Sequence, residues 1–494
     1  MSRDPRALAK QRLADEVGTL FRDAPERVAL LYPSPYRVGM SSLGFQTIYR
    51  EINNVPGRAA ERAFLPDDTA LQRASGAALC TYESGRPVAE FPVVALSVAY
   101  ELELAGVVEA LALAGIPELA EERDERHSFV LCGGPLTNSN PLPLAPFADA
   151  ILMGEADETI HRALDIVFDS SSKRAALQAL AAEIPSCYVP SLHGLELPAL
   201  AKAEHDKLPA WAPIRTPHTE LSNMFLLEAE RGCSRGCQYC VMRRSTNGGM
   251  RIVEAERILS LIPGDAHKIG LVGAAVSDHP KIVPIIEALA AQGRQVSLSS
   301  LRPDRLSEAL VSALKKAGAR ILTTALDAAS QRLRDSIMRK AREQHLLRVA
   351  ELAHAYRYQH LKLYMMVGLP TETDEDIDEL CRFATELSKI HPLALGIAAF
   401  VAKRNTPLDG EPFAGIKPVE HRLAHLRRGL RGRVDVRATS ARWAWVEYML
   451  AQGGPPEGRA VLQAVRAGGR FADYERAFAA LPAERPRRAL RVVA

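Results

Sequence analysis

The sequence predicts an α/β protein: a doubly wound parallel sheet first, then a partial (β/α)6 barrel, then a helical C-terminal region. Three observations carry this. Short apolar, β-rich runs alternate with helix-spaced segments, once in the first third of the chain and again from Asn223. Glycines stand at the ends of the early runs, where parallel sheets receive ligands. Three cysteines, Cys233, Cys237 and Cys240, fall within eight residues directly after the first run of the second series. That is where a barrel collects its functional loops. At 494 residues, with 47% hydrophobic and 24% charged residues, the chain is long enough for two or three domains and ordinary for a globular protein.

Residues 1–26 read as a polar helical lead-in. The apolar run Arg27–Pro33 suits a buried strand, and Leu43–Asn53 has helical spacing. Val93–Ser97 is the next strand and Leu104–Leu113 the next helix. Ser128–Cys132 ends in Gly133-Gly134-Pro135, and Ala150–Met153 ends in Gly154-Glu155. These make a first domain over 27–165. Residues 166–222, with prolines at 185, 190, 198, 209, 213 and 217, read as a connector. Six further strands are expected, at Met224–Glu230, Lys268–Gly273, Val296–Ser300, Arg320–Ala325, Leu361–Val367 and Ala394–Phe400. They make a second domain over 223–416. From 417 the alternation stops and helices are expected at Val419–Arg428, Ala441–Gln452 and Gly458–Gly468, with Gly453-Gly454-Pro455-Pro456 as a break.

Composition narrows the function classes. No run of 18 apolar residues exists, so no transmembrane helix and no membrane partner is expected. The N-terminal residues lack the apolar core of a signal peptide, and free cysteines fit a reducing compartment; the expected location is cytoplasmic. Cys80, Cys132, Cys187 and Cys381 stand alone and read as buried thiols. The net charge of +3 is uneven: from Lys417 onward there are 16 Lys and Arg against 7 Asp and Glu. A solvated helical surface accounts for this basic tail more simply than a nucleic-acid footprint does, and RNA stays open as a substrate.

Clustered thiolates are soft ligands for zinc, copper or iron–sulfur clusters. A structural zinc site needs a fourth ligand close by. None follows, since the next histidines are His267 and His279 and the next cysteine is Cys381. Three thiolates on a four-iron cubane leave one iron open for a substrate or cofactor. Gly232 and Gly236 suit a loop folded tightly around an inorganic core.

Cys-x-x-x-Cys-x-x-Cys, with the aromatic Tyr239 before the third cysteine, resembles the signature of the radical SAM superfamily. The resemblance implies a [4Fe-4S] cluster on Cys233, Cys237 and Cys240. It also implies reductive cleavage of S-adenosyl-L-methionine (SAM) and a reducing partner such as flavodoxin or ferredoxin. It extends over about residues 223–410. Leu271–Pro280 occupies the place of the family's glycine-rich stretch; Gly273 remains, but the usual Gly-Gly-Glu does not. Ser300 and Arg302 end the third strand within reach of SAM. Ala325–Arg332 resembles a Glu-x-Gly-Ser stretch with Asp327 for Glu and Ala329 for Gly. By that likeness Asp327 bonds the ribose, and Ser330 and Arg332 bind the methionyl carboxylate. Met365–Asp376 is similar to the fifth-strand signature, with Val367 or Gly368 near the adenine, and Phe400–Pro407 is similar to the sixth-strand end.

Residues 27–165 resemble the Rossmann-like, cobalamin-binding-type domain that precedes many radical SAM cores. The resemblance places Ser41, Gly44, Ser97, Gly133, Gly134 and Gly154 around a corrin. Domains of the best-known type carry Asp-x-His-x-x-Gly, whose histidine ligates cobalt. Here the stretch is Gly39-Met-Ser-Ser-Leu-Gly44, with Ser41 at the histidine position. A serine is no useful cobalt ligand, so any cobalamin is expected without protein coordination. The expected reaction is radical functionalisation of an unactivated carbon, methylation through cobalamin first. A cobalamin-independent modification such as methylthiolation of RNA or protein is the second reading. An iron–sulfur redox sensor or nucleic-acid-binding regulator is the reading of another class. No residue identifies itself as a catalytic base or radical relay, and nothing names the substrate. Tyr36, Tyr100, Glu101, Glu103, Tyr364 and His279 either face the site or pack.

Overall fold

The computed structural model describes residues 5–242, 249–299 and 301–482. The chain forms two compact units, one of Met1–Asn223 with Met449–Ala494 and one of Met224–Tyr448.

The first unit carries a six-stranded sheet in the order β2-β1-β3-β4-β5-β6. Its strands are β1 (Glu26–Pro35), β2 (Arg58–Leu65), β3 (Val93–Ser97), β4 (Phe129–Gly133), β5 (Ala150–Leu152) and β6 (Cys187–Tyr188). The first five are parallel, and β6 pairs antiparallel with β5. The expected strands and the helix after β1, observed as Leu43–Asn54, are present. Among the described residues of the N-terminal segment, Pro5–Ala14 is the regular helix.

Two strands were not legible in the sequence. β6 is two residues long. β2 is buried at all eight positions, yet its sequence, Arg-Ala-Ala-Glu-Arg-Ala-Phe-Leu, holds three charged side chains. Those charges are paired inside the unit. Arg62 bonds Glu16 (Nη2–Oε2, 2.7 Å) and Glu83 (Nε–Oε1, 2.6 Å), all three being fully buried. Burial works against the Arg62 charge, but Glu83 and Glu16 outweigh it and hold the guanidinium protonated. Glu61 accepts from Thr81 Oγ1 (2.7 Å) and Ser84 N (3.1 Å), and Arg58 bonds Glu26 and Asp165. Around this charge cluster pack Tyr32, Tyr36, Phe45, Phe64 and Tyr82, with ring centroids 5.1–5.4 Å apart. Apolar burial on both sheet faces supplies the stability, and the ion pairs let a charged strand share it.

Residues 417–494, read from the sequence as one helical region, are divided between the units. Helices Pro455–Arg466 and Phe471–Ala479 belong to the first unit. The Asn140 amide donates to the carbonyls of Leu450, Ala451 and Gly453 at 2.9–3.1 Å. A Cβ on Gly458 would lie 2.0 Å from the Pro143 carbonyl oxygen, so only glycine lets the helix pack there. Helix Ile416–Gly429 and a seventh barrel strand belong to the second unit.

The second unit is a partial barrel of parallel strands in two runs, β7-β10-β11 and β12-β13-β14-β15. These are β7 (Met224–Glu228), β10 (Lys268–Val272), β11 (Gln295–Leu298), β12 (Ile321–Asp327), β13 (His360–Val367), β14 (Leu393–Ala399) and β15 (Asp435–Ala438). β15 lies beyond the boundary expected at 416 and escaped notice because its four residues, Asp-Val-Arg-Ala, carry little apolar signal. In β13 the residues Leu361, Leu363, Met365 and Val367 are buried, and the alternate positions are more open, as one face packed on helices requires. A short antiparallel hairpin, β8 (Glu230–Gly232) with β9 (Met250–Ile252), follows β7.

Truncating Arg62 to Ala should lower stability by about 3–5 kcal/mol, because Glu16 and Glu83 would be left buried without the cation they share. Urea midpoints check this. The triple change Arg62→Met, Glu16→Gln and Glu83→Gln should recover most of the loss. A cost near that of an exposed ion pair, about 0–1 kcal/mol, would show that the cluster does not hold β2 in place.

Candidate functional site

The hairpin β8–β9 forms the base of the cysteine loop. Gly232, at φ +95°, turns the chain out of β8 into the loop. Cys233, Cys237 and Cys240 are all partly buried free thiols. Cys233 accepts a hydrogen bond from the Arg235 amide and Cys240 one from the Met242 amide. Burial pushes both thiols up, and each feels Cys237 close by, so gathering three thiolates here needs added positive charge. Arg302 acts on Cys233, and the Arg339 guanidinium hydrogen-bonds Cys237. Among the described residues no three His, Cys, Asp or Glu side chains converge on one point as a single-metal site requires. Ligands of a cubane bind different irons and need no such convergence.

Buried charges dock the loop onto the barrel. Arg235 reaches Asp278 (Nε–Oδ2, 3.2 Å) and Asp304 (Nη2–Oδ2, 3.4 Å). The buried Arg302 reaches the same two carboxylates at 3.6 and 3.2 Å. The Gln238 amide donates to the Ile337 carbonyl at 3.1 Å. At the end of β12, Asp327 adopts φ +69° and accepts a hydrogen bond from Tyr239. Arg339 Nε lies 2.5 Å from Asp327 Oδ2, and Arg339 Nη2 donates to the Ala325 carbonyl at 3.1 Å. Tyr239 and Asp327 are thus brought together, with Arg339 between them and the thiols. Arg339 went unnoticed in the sequence because it follows its strand by twelve residues and matches no motif.

Gly273 stands just after β10. A Cβ there would lie 2.3 Å from Glu230 Oε1, so glycine is needed for the Glu230 side chain to fit. Glu230 is fully buried; Oε1 accepts from the Ala275 amide at 2.6 Å, and Oε2 has no hydrogen-bond partner. Burial, then Glu228 and Asp278, push its carboxyl up to about 7. The sequence signal for Glu230 was weak, since the residue sits three positions before Cys233 in the hairpin and outside the cysteine motif. Ser300 lies outside the described residues.

One expectation needs correction. Ser330 is fully buried; its hydroxyl donates to Asp376 Oδ1 (2.5 Å) and caps the helix Gln331–Ser336 by accepting from Leu333 N (3.3 Å). It is fully buried and engaged in the fold as a helix cap. Arg332 donates to Asp376, Thr371 Oγ1 (3.2 Å) and the Thr371 carbonyl (3.0 Å), which ties β12 to the helix Asp374–Ile390, and its side chain stays 53% exposed. Val367, at the end of β13, is fully buried, and its carbonyl accepts from the Phe400 amide at 2.8 Å. Gly368, at φ +84°, donates its amide to Glu372 Oε2. Glu372 lies 3.3 Å from Arg422, its Oε1 has no partner, and burial pushes the carboxyl up to about 7.

In the first unit the glycine-rich strand ends separate into two kinds. Ser97 and Gly133 are register partners at the ends of β3 and β4. A Cβ on Gly133 meets nothing nearer than 3.6 Å, and one on Gly44 nothing within 4 Å. Neither glycine is demanded by internal packing. Gly134 and Gly154 are different: a Cβ would lie 2.7 Å from the Val98 carbonyl oxygen and 2.5 Å from that of Ala201. The connector closes over Gly154 through a backbone bridge with Ala201, so the chain itself fills the approach expected for a ligand. Ser41 donates to the Arg37 carbonyl at 2.8 Å. Tyr36, bonded to Glu16, and His279, whose Nε2 lies 2.8 Å from the Val253 carbonyl, are packing residues. Tyr364 is 49% exposed and its hydroxyl accepts from Lys362 Nζ at 2.9 Å.

Comparison with known proteins gives four findings. The family model "Radical SAM proteins, N-terminal" matches residues 44–190 and "Radical SAM superfamily" matches residues 228–384, together more than half of the chain. An uncharacterized protein of Methanocaldococcus jannaschii is 25% identical over 405 residues, 78% of this chain and 80% of its own. The ribosomal protein uS12 methylthiotransferase RimO of Geobacter sulfurreducens is 26% identical over 199 residues, 37% of this chain and 43% of its own. The radical S-adenosylmethionine methyltransferase TsrM of Kitasatospora setae shares the fold at 12% identity and a TM-score of 0.55, over 80% of this chain and 76% of its own.

The raised Glu372 carboxyl makes a testable contribution to stability. Its folded value, about 7, lies above the ordinary 4.5, so the folded state holds a proton the unfolded state releases. This stabilises fully below about pH 4.5 and is lost as pH rises through 7. Compared with Glu372→Gln, wild type should therefore lose up to about 3 kcal/mol between pH 5 and pH 8. Urea midpoints of both proteins at the two pH values measure it. An equal gap at both would mean that Glu372 titrates as an exposed carboxyl does.

Proposed function

The chain belongs to the radical SAM superfamily, and from that premise we propose that it is a cobalamin-dependent methyltransferase acting on an unactivated carbon. The observation that carries the SAM half is the cysteine loop. Three thiols are presented beside Arg302 and Arg339 at the C-terminal ends of barrel strands, with the loop pinned there by Tyr239 and Asp327. A [4Fe-4S] cluster on Cys233, Cys237 and Cys240 would supply the electron that splits SAM into methionine and a 5′-deoxyadenosyl radical. The cationic guanidiniums offset thiolate charge, and the Arg235 and Met242 amides hydrogen-bond the sulfurs. In this reading the methionyl end of SAM lies near Gly273, just after β10, and the adenine near Val367 and Gly368 at the end of β13. Because Asp327 already holds Tyr239 and Arg339, its first role in this reading is to position the loop. The reductant is a small electron carrier such as flavodoxin or ferredoxin.

The cobalamin half rests on the first unit. Gly44 faces open space and Gly133 has only ordinary contact with Leu152, at the C-terminal edge of a parallel sheet, where such sheets take ligands, and Ser97 adjoins Gly133. Ser41 offers cobalt no useful ligand. The fold likeness to TsrM, a methyltransferase by name, supports the same reading. Methylthiolation, the activity in RimO's name, would want a second cluster. Of the remaining cysteines, Cys132 and Cys187 are buried within the first sheet with thiols pushed up to about 12, which favours methyl transfer. No described helix is long and apolar enough to cross a membrane.

Anaerobically reconstituted protein should hold about four iron atoms per chain and form 5′-deoxyadenosine slowly from SAM alone. Changing Cys233, Cys237 and Cys240 together to Ala should abolish both. Wild type that binds only zinc, or a triple variant that keeps its iron, would refute the cluster.

Hydroxocobalamin should bind at one per chain, with no nitrogen superhyperfine splitting from an axial ligand in the paramagnetic resonance of its cob(II)alamin form. Gly133→Trp should prevent this binding and leave the iron content unchanged. If wild type forms no stoichiometric complex, methyl transfer through cobalamin is wrong and the cobalamin-independent modification takes its place.

A further inference from the structure

The inner face of the sheet β12-β13-β14-β15 carries a cation without a counter-charge. In β13 the side chains of Leu361, Leu363, Met365 and Val367 are buried against the helices, so Lys362, Tyr364 and Met366 stand on the opposite face. Lys362 Nζ donates to the Tyr364 hydroxyl at 2.9 Å, and among the described residues no carboxylate pairs with it. Arg437, across β14, is already paired with Asp435 at 2.8 Å. Tyr364 keeps 49% of its surface exposed, so a ligand can reach this point of the face.

β14 supplies the room. Its residues on this face are Ala394, Gly396 and Ala398. Gly396 is the register partner of Tyr364, and a Cβ on it would lie 2.9 Å from the Tyr364 ring. The ring therefore rests against the β14 backbone, and any larger residue at 396 would lift it off. On its other side Tyr364 pairs with Ala325 of β12, two residues before the Asp327 that anchors the cysteine loop. Along β13, Tyr364 stands three residues before Val367, which is roughly 10 Å short of the strand end at about 3.3 Å per residue.

The group that satisfies this pair is an anion. Lys362 keeps N–H donors beyond the one given to Tyr364, and the Tyr364 hydroxyl, accepting from Lys362, keeps its own proton to give. Two kinds of donor with a single positive charge match the two oxygens and single charge of a carboxylate. A phosphate dianion would keep a charge without a partner, since Arg437 is committed to Asp435.

Resting on the radical SAM reading above, we propose that Lys362 and Tyr364 bind the carboxylate of the substrate. The substrate is accordingly a carboxylic acid whose reacting carbon, toward the strand ends, stands up to about 10 Å from that carboxylate. Between the two its body lies over Ala394, Gly396 and Ala398, whose side chains offer no hydrogen bonds, so that stretch of it is apolar.

Three probes test this on anaerobically reconstituted protein by equilibrium dialysis: octanoate, octanamide and octyl phosphate. Octanoate should bind wild type roughly tenfold or more tighter than either of the others. Lys362→Met should erase the advantage of octanoate over octanamide. Tyr364→Phe, which keeps the ring, should weaken octanoate severalfold and octanamide little. Gly396→Ala, which displaces the ring without removing its hydroxyl, should act as Tyr364→Phe does; these two variants serve if Lys362→Met does not fold. Equal binding of octanoate and octanamide to wild type overturns the assignment, as does tighter binding of octyl phosphate, or an octanoate affinity that no variant changes; the cluster and SAM readings then stand. Wild type that forms no 5′-deoxyadenosine from SAM overturns the SAM reading, and with it the substrate role of the pair, whatever the dialysis gives.

Discussion

A loop that gathers three thiolates must be held against their mutual repulsion, and in this protein the hold is the Asp327 carboxylate at the end of β12. One side chain of the loop, Tyr239, donates to it, and one from beyond the strand, Arg339, is ion-paired with it. Arg339 in turn hydrogen-bonds Cys237, so loop, strand end and counter-charge form one connected group. Asp327 sits at positive φ, a conformation that costs energy in a non-glycine residue and is kept where surrounding contacts impose it. The second attachment, Arg235 and Arg302 on Asp278 and Asp304, pins the loop's other flank to the ends of β10 and β11. Ion pairs this buried are weak evidence for stability, but they fix geometry well, because losing either partner strands a charge.

The first unit applies the same rule to a different end. Arg62 with Glu16 and Glu83 lets a strand of three charged residues lie in the interior, and it draws in the segment that follows the N-terminal helix. Here the product is a closed edge to the sheet. The glycines at the strand ends then divide by what surrounds them. Gly134 and Gly154 are filled from within, by Val98 and by the connector at Ala201, whereas Gly133 has only ordinary contact with Leu152 and Gly44 faces open space. The space where a ligand can approach is thus smaller and better defined than a count of glycines suggested.

Motif likeness and observed contacts part company most clearly at Ser330 and Arg332. Both match a ligand-binding pattern by position, yet both are used to join β12 to the helix Asp374–Ile390 through Asp376. The capping hydroxyl and a neighbouring carboxylate satisfy each other locally, which leaves little for a ligand. Glu230 shows the reverse. It belongs to no part of the motif, and its fit over Gly273 appears only when the hairpin folds.

By itself the sequence determined what depends on local pattern: the apolar periods of β1, β3, β4, β5 and the six expected barrel strands, and the spacing of Cys233, Cys237 and Cys240. Those signals survive because strand burial and ligand spacing are short-range properties of the chain. β2 and β15 were hidden, since one is charged and the other short, and only partners distant in sequence make them strands. Tertiary structure alone decided which of two chemically similar residues is free to act. Asp327 and Ser330 are occupied by neighbours from other segments, whereas the buried Glu230 keeps an oxygen unpaired. A side chain's remaining hydrogen-bonding capacity is a property of its surroundings, and these are assembled only on folding.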